Sequence, residues 1–311
     1  VVKSLTVDGT LTMLHRSFSH QTRIDFAGGQ QALRGEGTIV FDSNQTSGTA
    51  QYAYVRSINN GQLTIADGIT LRGNRGRVGD TNHRLTLRGT VIAESGGRVE
   101  IGGIDLRNEG RLVADGGTMV VSGLLGDLGD VDAMGGGTLS VNGDFVNEQD
   151  RDFAGSNVSF GGTWTNEGHL TFDGGLFTAG GTWINPGSVT VTGGDLALAS
   201  SAEQLGTVTI TDSVLHLQSN YTTAEIESID AVNVDLEIES GGVLDNRGDE
   251  FELSAGGYAI LLDGGTIDGG VISSRDETRF TSTVNDGTLR GVTLDADGLI
   301  TKIEHIITQE I

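Results

Sequence analysis

Closely spaced carboxylates are the residues of this chain best suited to chemistry. Asp130 with Asp132, Asp150 with Asp152, and Asp249 with Glu250 are candidate pairs for glycoside hydrolysis. That reaction needs an acid and a base roughly 5 to 9.5 Å apart across the scissile bond. The chain has no Asp-Asp dipeptide and no accompanying His-Gly or Arg-x-Lys. Both tryptophans, Trp164 and Trp183, fall in a repeating apolar column rather than at the rim of a sugar cleft. No catalytic residue is assigned, and the chain is expected not to be an enzyme.

Two acidic loops raise a separate question of calcium. Asp127, Asp130 and Asp132 lie in one, and Glu148, Asp150 and Asp152 in the next. Stacked oxygen-rich loops could share a hard cation, but the glycine-rich nonapeptide calcium repeat is absent, so a solvated acidic face is the preferred reading. No other cofactor is implied. His15, His20, His83, His169, His216 and His305 do not cluster at metal-ligand spacing, and His169 and His216, at outward strand positions, receive no role. Arg72, Arg75, Arg77, Arg84 and Arg88, with Asp80 and His83 among them, form a basic cluster. It could hold an anionic glycan or the acidic part of a neighbouring copy. The plainer reading pairs these arginines with nearby carboxylates.

The elements that position these groups repeat every nineteen residues from Leu139 to Leu217. One column holds Leu139, Val158, Phe177, Leu196 and Leu215; another holds Phe153, Phe172, Val191 and Ile210. Phe145, Trp164 and Trp183 form an aromatic column, and Asn147, Asn166 and Asn185 an amide column. A period near twenty marks a solenoid. Apolar residues alternate with polar ones inside each repeat, which is the signature of strands with one buried face. Gly-Gly pairs such as Gly174-Gly175 and Gly193-Gly194 break the alternation into tight turns. The fold predicted is an all-β parallel β-helix. The Asn column reads as a stack of turn residues that tolerate the left-handed conformation and hydrogen-bond along a ladder. After Leu217 the nineteen-residue register would put Ile229 over Ile210, Val234 over Leu215 and Leu236 over Leu217.

Composition agrees. The chain has 311 residues, fifty glycines, one proline, no cysteine and 5% aromatic residues. Coils of 19–20 residues give about fifteen or sixteen of them, a rod on the order of 75 Å at about 4.8 Å per coil. We expect a single solenoid: residues 1–57 as less regular coils, 58–298 as regular coils, and 299–311 as a terminal strand or cap over the open end. Of Tyr52 and Tyr54, one is expected to face solvent. Absence of cysteine excludes disulfide and thiolate chemistry, and no eighteen-residue apolar stretch is present to span a membrane. The start at Val1-Val2-Lys3 reads as part of a longer protein. A net charge of −23 argues against nucleic acid as a partner. It is unevenly placed: residues 1–111 carry thirteen Lys or Arg against ten Asp or Glu, and 112–311 carry six against thirty-two. That asymmetry could steer head-to-tail association.

Several phrases resemble a known class. They are Leu33-Arg34-Gly35-Glu36-Gly37-Thr38-Ile39, Leu63-Thr64-Ile65-Ala66-Asp67-Gly68-Ile69-Thr70-Leu71, Gly264-Gly265-Thr266-Ile267-Asp268-Gly269-Gly270-Val271-Ile272, and Gly287-Thr288-Leu289-Arg290-Gly291-Val292-Thr293-Leu294. They resemble repeats of secreted bacterial β-helix surface proteins of the filamentous-haemagglutinin-like and autotransporter-like adhesin kind. The resemblance implies a right-handed sense for the parallel β-helix and an extracellular, cell-surface location, and it brings no catalytic motif with it. The expected function is a structural or adhesive rod that assembles end to end into a filament or forms the stalk of a larger adhesin. Its expected partners are further copies of itself, glycans or other surface proteins. The alternative is a glycan-binding or glycan-cleaving β-helix.

Overall fold

A computed structural model describes residues 4–15, 21–43, 52–254, 256–274, 276, 278–295, 300–302 and 306–309. His20, His305 and the segment 44–50 of the expected loop lie outside the described residues. The protein is nearly all β: parallel strands stack into a β-solenoid of about 12 turns. It divides into two units, Val1–Thr165 and Asn166–Ile311.

In the first unit, three columns of apolar side chains run from coil to coil. Leu5 sits beside Leu33, Leu33 beside Ile65, and Ile65 beside Leu87. Leu11, Ile39, Leu71, Val91, Leu112 and Val131 follow one another in the second. Ile24, Val55, Val78, Ile101, Val121 and Val141 make the third. Along Ala53–Ile58 the pattern is strictly alternate: Ala53, Val55 and Ser57 are buried, and Tyr54 and Arg56 turn outward. Each buried aliphatic or aromatic side chain contributes roughly 1.5–3 kcal/mol of transfer free energy, which stacking makes continuous along the unit. Trp164 is buried, lies parallel to Phe145 at 6.4 Å and meets the edge of Phe160 at 5.3 Å.

The second unit follows the nineteen-residue register in its first coils. Leu170, Val189 and Val208 align, as do Phe172, Val191 and Ile210, and Phe177, Leu196 and Leu215. Trp183 is buried and donates to the Ser200 carbonyl at 3.3 Å. Beyond Leu217 the expected register fails. Leu215 pairs with Leu236, and Ile210 with Ala231 rather than Ile229. The cause is a one-turn helix, Thr223–Glu227, inserted in that coil. The Thr222 hydroxyl accepts from the Glu225 amide, and the Glu225 carboxylate accepts from the Thr222 amide at 2.7 Å, which is a capping box. Later coils carry two further columns: Tyr221, Leu244, Ile267 and Leu289, and Phe251, Ile272 and Leu294. The strands Ile300–Lys302 and Ile306–Gln309 pair in parallel with Arg279–Ser282 and Gly287–Arg290.

The coil count is lower than the fifteen or sixteen expected, because coils outside the repeating block are longer than nineteen residues. Ile24 lies beside Val55 and Val55 beside Val78 in the first unit, and Leu236 beside Ile260 in the second.

The amide-column residues Asn147, Asn166 and Asn185 are buried, and so are Asn108 and Asn246. None has positive φ; among the described residues the non-glycine positions that do are Asn59, Asn60, Asp105, Asp212, Asn233 and Asp286. The column amides hold the coils through their side chains instead. Asn108 Nδ2 donates to the Leu128 carbonyl of the next coil at 2.9 Å, whereas Asn147 Nδ2 donates within its own turn, to the Gln149 carbonyl at 2.8 Å. In the second unit Asn166 Nδ2 donates to Asn185 Oδ1 at 2.7 Å, and Asn185 Nδ2 to the Leu205 carbonyl at 2.8 Å. Close stacking leaves no room beside them: Gly206, at φ +65°, would place a Cβ 1.7 Å from the Asn185 carbonyl oxygen.

Candidate functional site

The outward face of the first unit carries the most distinctive group of side chains. Alternation in Ala53–Ile58 and in the residue before it sends Tyr52, Tyr54 and Arg56 to the same side. Both tyrosines are half-exposed, where the sequence reading expects only one to face solvent; residues two apart in a strand share a face. Register then builds rows around them. Tyr54 lies between Arg23 and Arg77, Arg77 is followed by Glu100, Asp25 is beside Arg56, and Arg75 is beside Arg98. Four rows span roughly 14 Å at about 4.8 Å per strand.

The two rings meet edge to face at 6.4 Å. The Arg56 guanidinium lies 5.2 Å from the Tyr54 ring centre, and that of Arg75 lies 5.4 Å from the Tyr52 ring centre. These are cation–π distances. The Tyr52 hydroxyl donates to Glu100 Oε1 at 2.8 Å, and Arg98 Nε donates to the same oxygen at 2.9 Å. Burial, together with the Glu100 carboxylate, raises the Tyr52 hydroxyl pKa. Burial alone would raise Glu100, but hydrogen bonds from Arg98 and Tyr52 and the charges of Arg98 and Arg77 hold it below its usual range. Arg77 reaches Glu100 only at 3.9 Å, and its Nε is buried without a hydrogen-bond partner among the described residues. Arg23 and Arg56 share Asp25, each at 3.0 Å. Arg23, Arg56, Arg75, Arg77 and Arg98 thus gather around two tyrosine rings, with Asp25 and Glu100 among them.

The basic cluster seen in sequence is split by this arrangement. Arg75 and Arg77 belong to the tyrosine face. Arg72 pairs with Glu94 at 3.3 Å, Arg84 with Asp105 at 3.1 Å and Arg88 with Glu109 at 2.8 Å, each on the coil that follows. The spacing that identifies the cluster misses Arg23, Arg56 and Arg98, which register brings to the tyrosines from neighbouring coils. The alternating strand Arg23–Ala27 is the available signal.

The acidic candidates are arranged differently. Asp130 contacts both Arg111, at 3.6 Å, and Arg151, at 3.5 Å, and Asp132 contacts Arg111 at 3.2 Å. Asp127 Oδ1 accepts from the Gly129 amide. Glu148, Asp150 and Asp152 are exposed. These six do not converge on a common point; among the described residues the ligand atoms that do so belong to His216, Glu237 and Glu239. Of the remaining carboxylate pair, Glu250 accepts from the Ser273 hydroxyl at 2.6 Å. No helix among the described residues is long and apolar enough to cross a membrane.

No family model matches the chain, and no curated protein matches it. Among solved structures, the TibC-catalysed hyper-glycosylated TibA55-350 fragment is similar, with 17% identity over 98% of this chain and 100% of that one and a TM-score of 0.34.

Proposed function

We propose that this chain is an adhesive β-solenoid of a bacterial surface that binds a polyanionic glycan through the Tyr52–Arg75 face of its first unit. The observation that carries the reading is the gathering of five arginines from successive coils around two half-exposed tyrosines. Aromatic rings supply the apolar platform against which a sugar ring packs, and guanidinium groups supply paired donors for carboxylate or sulfate. A binding role is favoured over hydrolysis because Asp130 and Asp132 are both tied to Arg111. Extracellular location rests on the resemblance of the repeat phrases. End-to-end association of copies belongs to the same proposal and draws on the uneven charge along the chain.

The test is calorimetric titration with a sulfated glycan, a polyuronate and a neutral dextran at two salt concentrations. Binding of the two polyanions, weakened by salt, is expected. Arg75→Gln, Arg77→Gln and Tyr52→Ala should each weaken it about tenfold, ~1.4 kcal/mol. Arg84→Gln, whose partner is Asp105, should leave it unchanged. No binding to either polyanion, equal binding to dextran, or an equal loss on Arg84→Gln would overturn the assignment. Electron microscopy of the same samples at low and high salt reads the assembly: filaments that lengthen at low salt support it, and isolated particles at both refute it.

A further inference from the structure

We infer that His216, Glu237 and Glu239 form a binding site for a divalent transition-metal ion on the outer face of the second unit. The three side chains come from two successive coils. Leu217 and Ile238 point inward and pair, so their neighbours His216, Glu237 and Glu239 project outward. Register places His216 directly beside Glu237. His216 Nδ1 lies 2.7 Å from Glu239 Oε1 and 3.3 Å from Glu237 Oε2. Metal–nitrogen and metal–oxygen bonds of about 2.0–2.2 Å in a tetrahedral site separate adjacent donors by roughly 3.3 Å. The two His216 separations lie close to that spacing, and all three ligand atoms are within 4.8 Å of one another.

Glu239 is already oriented from outside the triad. Gln218 Nε2 donates to its Oε2 at 2.7 Å, leaving Oε1 turned to His216. Such an outer partner is what holds a metal-binding carboxylate in place. Side-chain exposures of 19% for His216, 21% for Glu237 and 28% for Glu239 leave a route for an ion and room for a water ligand. One imidazole and two carboxylates suit zinc and its neighbours in the first transition row rather than calcium, which takes six to eight oxygens.

Charge supplies an independent argument. Elsewhere in the molecule carboxylates meet arginines of adjacent coils, as Glu109 meets Arg88 and Asp268 meets Arg290. From Asp152 to Asn246 the chain contains no lysine or arginine. The charged groups closest to Glu237 from neighbouring strands are Asp195 and Asp263, both negative. Arg279 lies further along the sheet beside Asp235 and Ala259. A bound dication would neutralise charge that no lysine or arginine of this stretch neutralises.

The test is titration of the tag-free chain with Zn²⁺, Mn²⁺ and Ca²⁺ by calorimetry at pH 7 in two buffers of different protonation enthalpy. One zinc site per chain is expected in both buffers. His216→Ala and Glu239→Gln should each weaken zinc binding at least ~10-fold, and Gln218→Ala about 10-fold, within the range seen for outer partners. His169→Ala should have no effect. Circular dichroism confirms that each variant is folded. Absence of zinc binding, binding unchanged in His216→Ala, or calcium binding as tight as zinc would each overturn the assignment.

Discussion

Replacing Asn185 with alanine tests whether the amide column holds the coils together. Asn185 is completely buried. Its Oδ1 accepts from Asn166 Nδ2 at 2.7 Å, and its Nδ2 donates to the Leu205 carbonyl at 2.8 Å, with a longer contact of 3.4 Å to that of Thr207. A typical hydrogen bond contributes about 1 kcal/mol net, and a buried partner left unpaired costs about 1–3 kcal/mol. Two bonds are lost, and the Asn166 amide keeps its contact with the Ser188 carbonyl at 3.1 Å. The expected loss is therefore roughly 2–4 kcal/mol. Because stability in a solenoid is a sum of local terms, the assay is amide hydrogen exchange resolved along the chain. Protection should fall around 183–210 and remain at the far end of the unit. Asn185→Asp separates the two bonds. Its carboxylate still accepts from Asn166 but faces the Leu205 carbonyl with no proton to give, so at pH 7 it should be at least as damaging as alanine. It should recover in part as the pH falls, where the acid can donate, and burial places that recovery above the usual carboxylate pKa. A loss under ~0.5 kcal/mol in the alanine variant, or an aspartate variant insensitive to pH, would refute the reasoning.

The packing leads to two further expected outcomes. Gly206→Ala should destabilise the same coil strongly, since a Cβ would lie 1.7 Å from the Asn185 carbonyl oxygen at a φ of +65°; wild-type protection at 183–210 in that variant would refute the fit. Glu100→Gln should cost about 1–3 kcal/mol at pH 7, measured by urea unfolding. The folded pKa of Glu100 is depressed, so its contribution is present above the unfolded value, near 4.5, and disappears as pH falls through the folded one; a penalty of the same size at pH 2 contradicts it.

The columns from Leu139 to Leu217 are legible because every coil there has one length, so that a single spacing aligns core residues, turns and amides together. The coils after Leu217 are not legible, for a local reason. Thr222-Thr223-Ala224-Glu225 carries the Thr-x-x-Glu signature of a capping box, yet a register extrapolated from strands alone runs straight through it. The tyrosine face is half legible. Tyr52 and Tyr54 stand out in an aromatic-poor chain, but their arginine neighbours come from coils whose lengths differ, and only register reveals which arginines reach them.

The same helix determines the chemistry of the second unit. In the nineteen-residue register the residue over His216 would be Asp235; in the structure it is Glu237. Asp235 instead lies over Val214, beside Ala259 and, on the following coil, Arg279. Insertion of Thr223–Glu227 therefore shifts the strand Asp230–Glu239 by two residues. A shift of two keeps every inward residue inward, because the strand period is two. The core tolerates the change, with Leu236 and Ile238 taking their places beside Leu215 and Leu217. On the outer face the same shift replaces one carboxylate beside the imidazole with another and brings Glu239 within hydrogen-bond distance of both His216 and Gln218. A solenoid can thus re-pair its outer side chains without disturbing its core, provided coil length changes by an even number of residues in the connecting turn. In this unit, that rule is what moves two glutamates into reach of a histidine whose spacing in the sequence gives no sign of them.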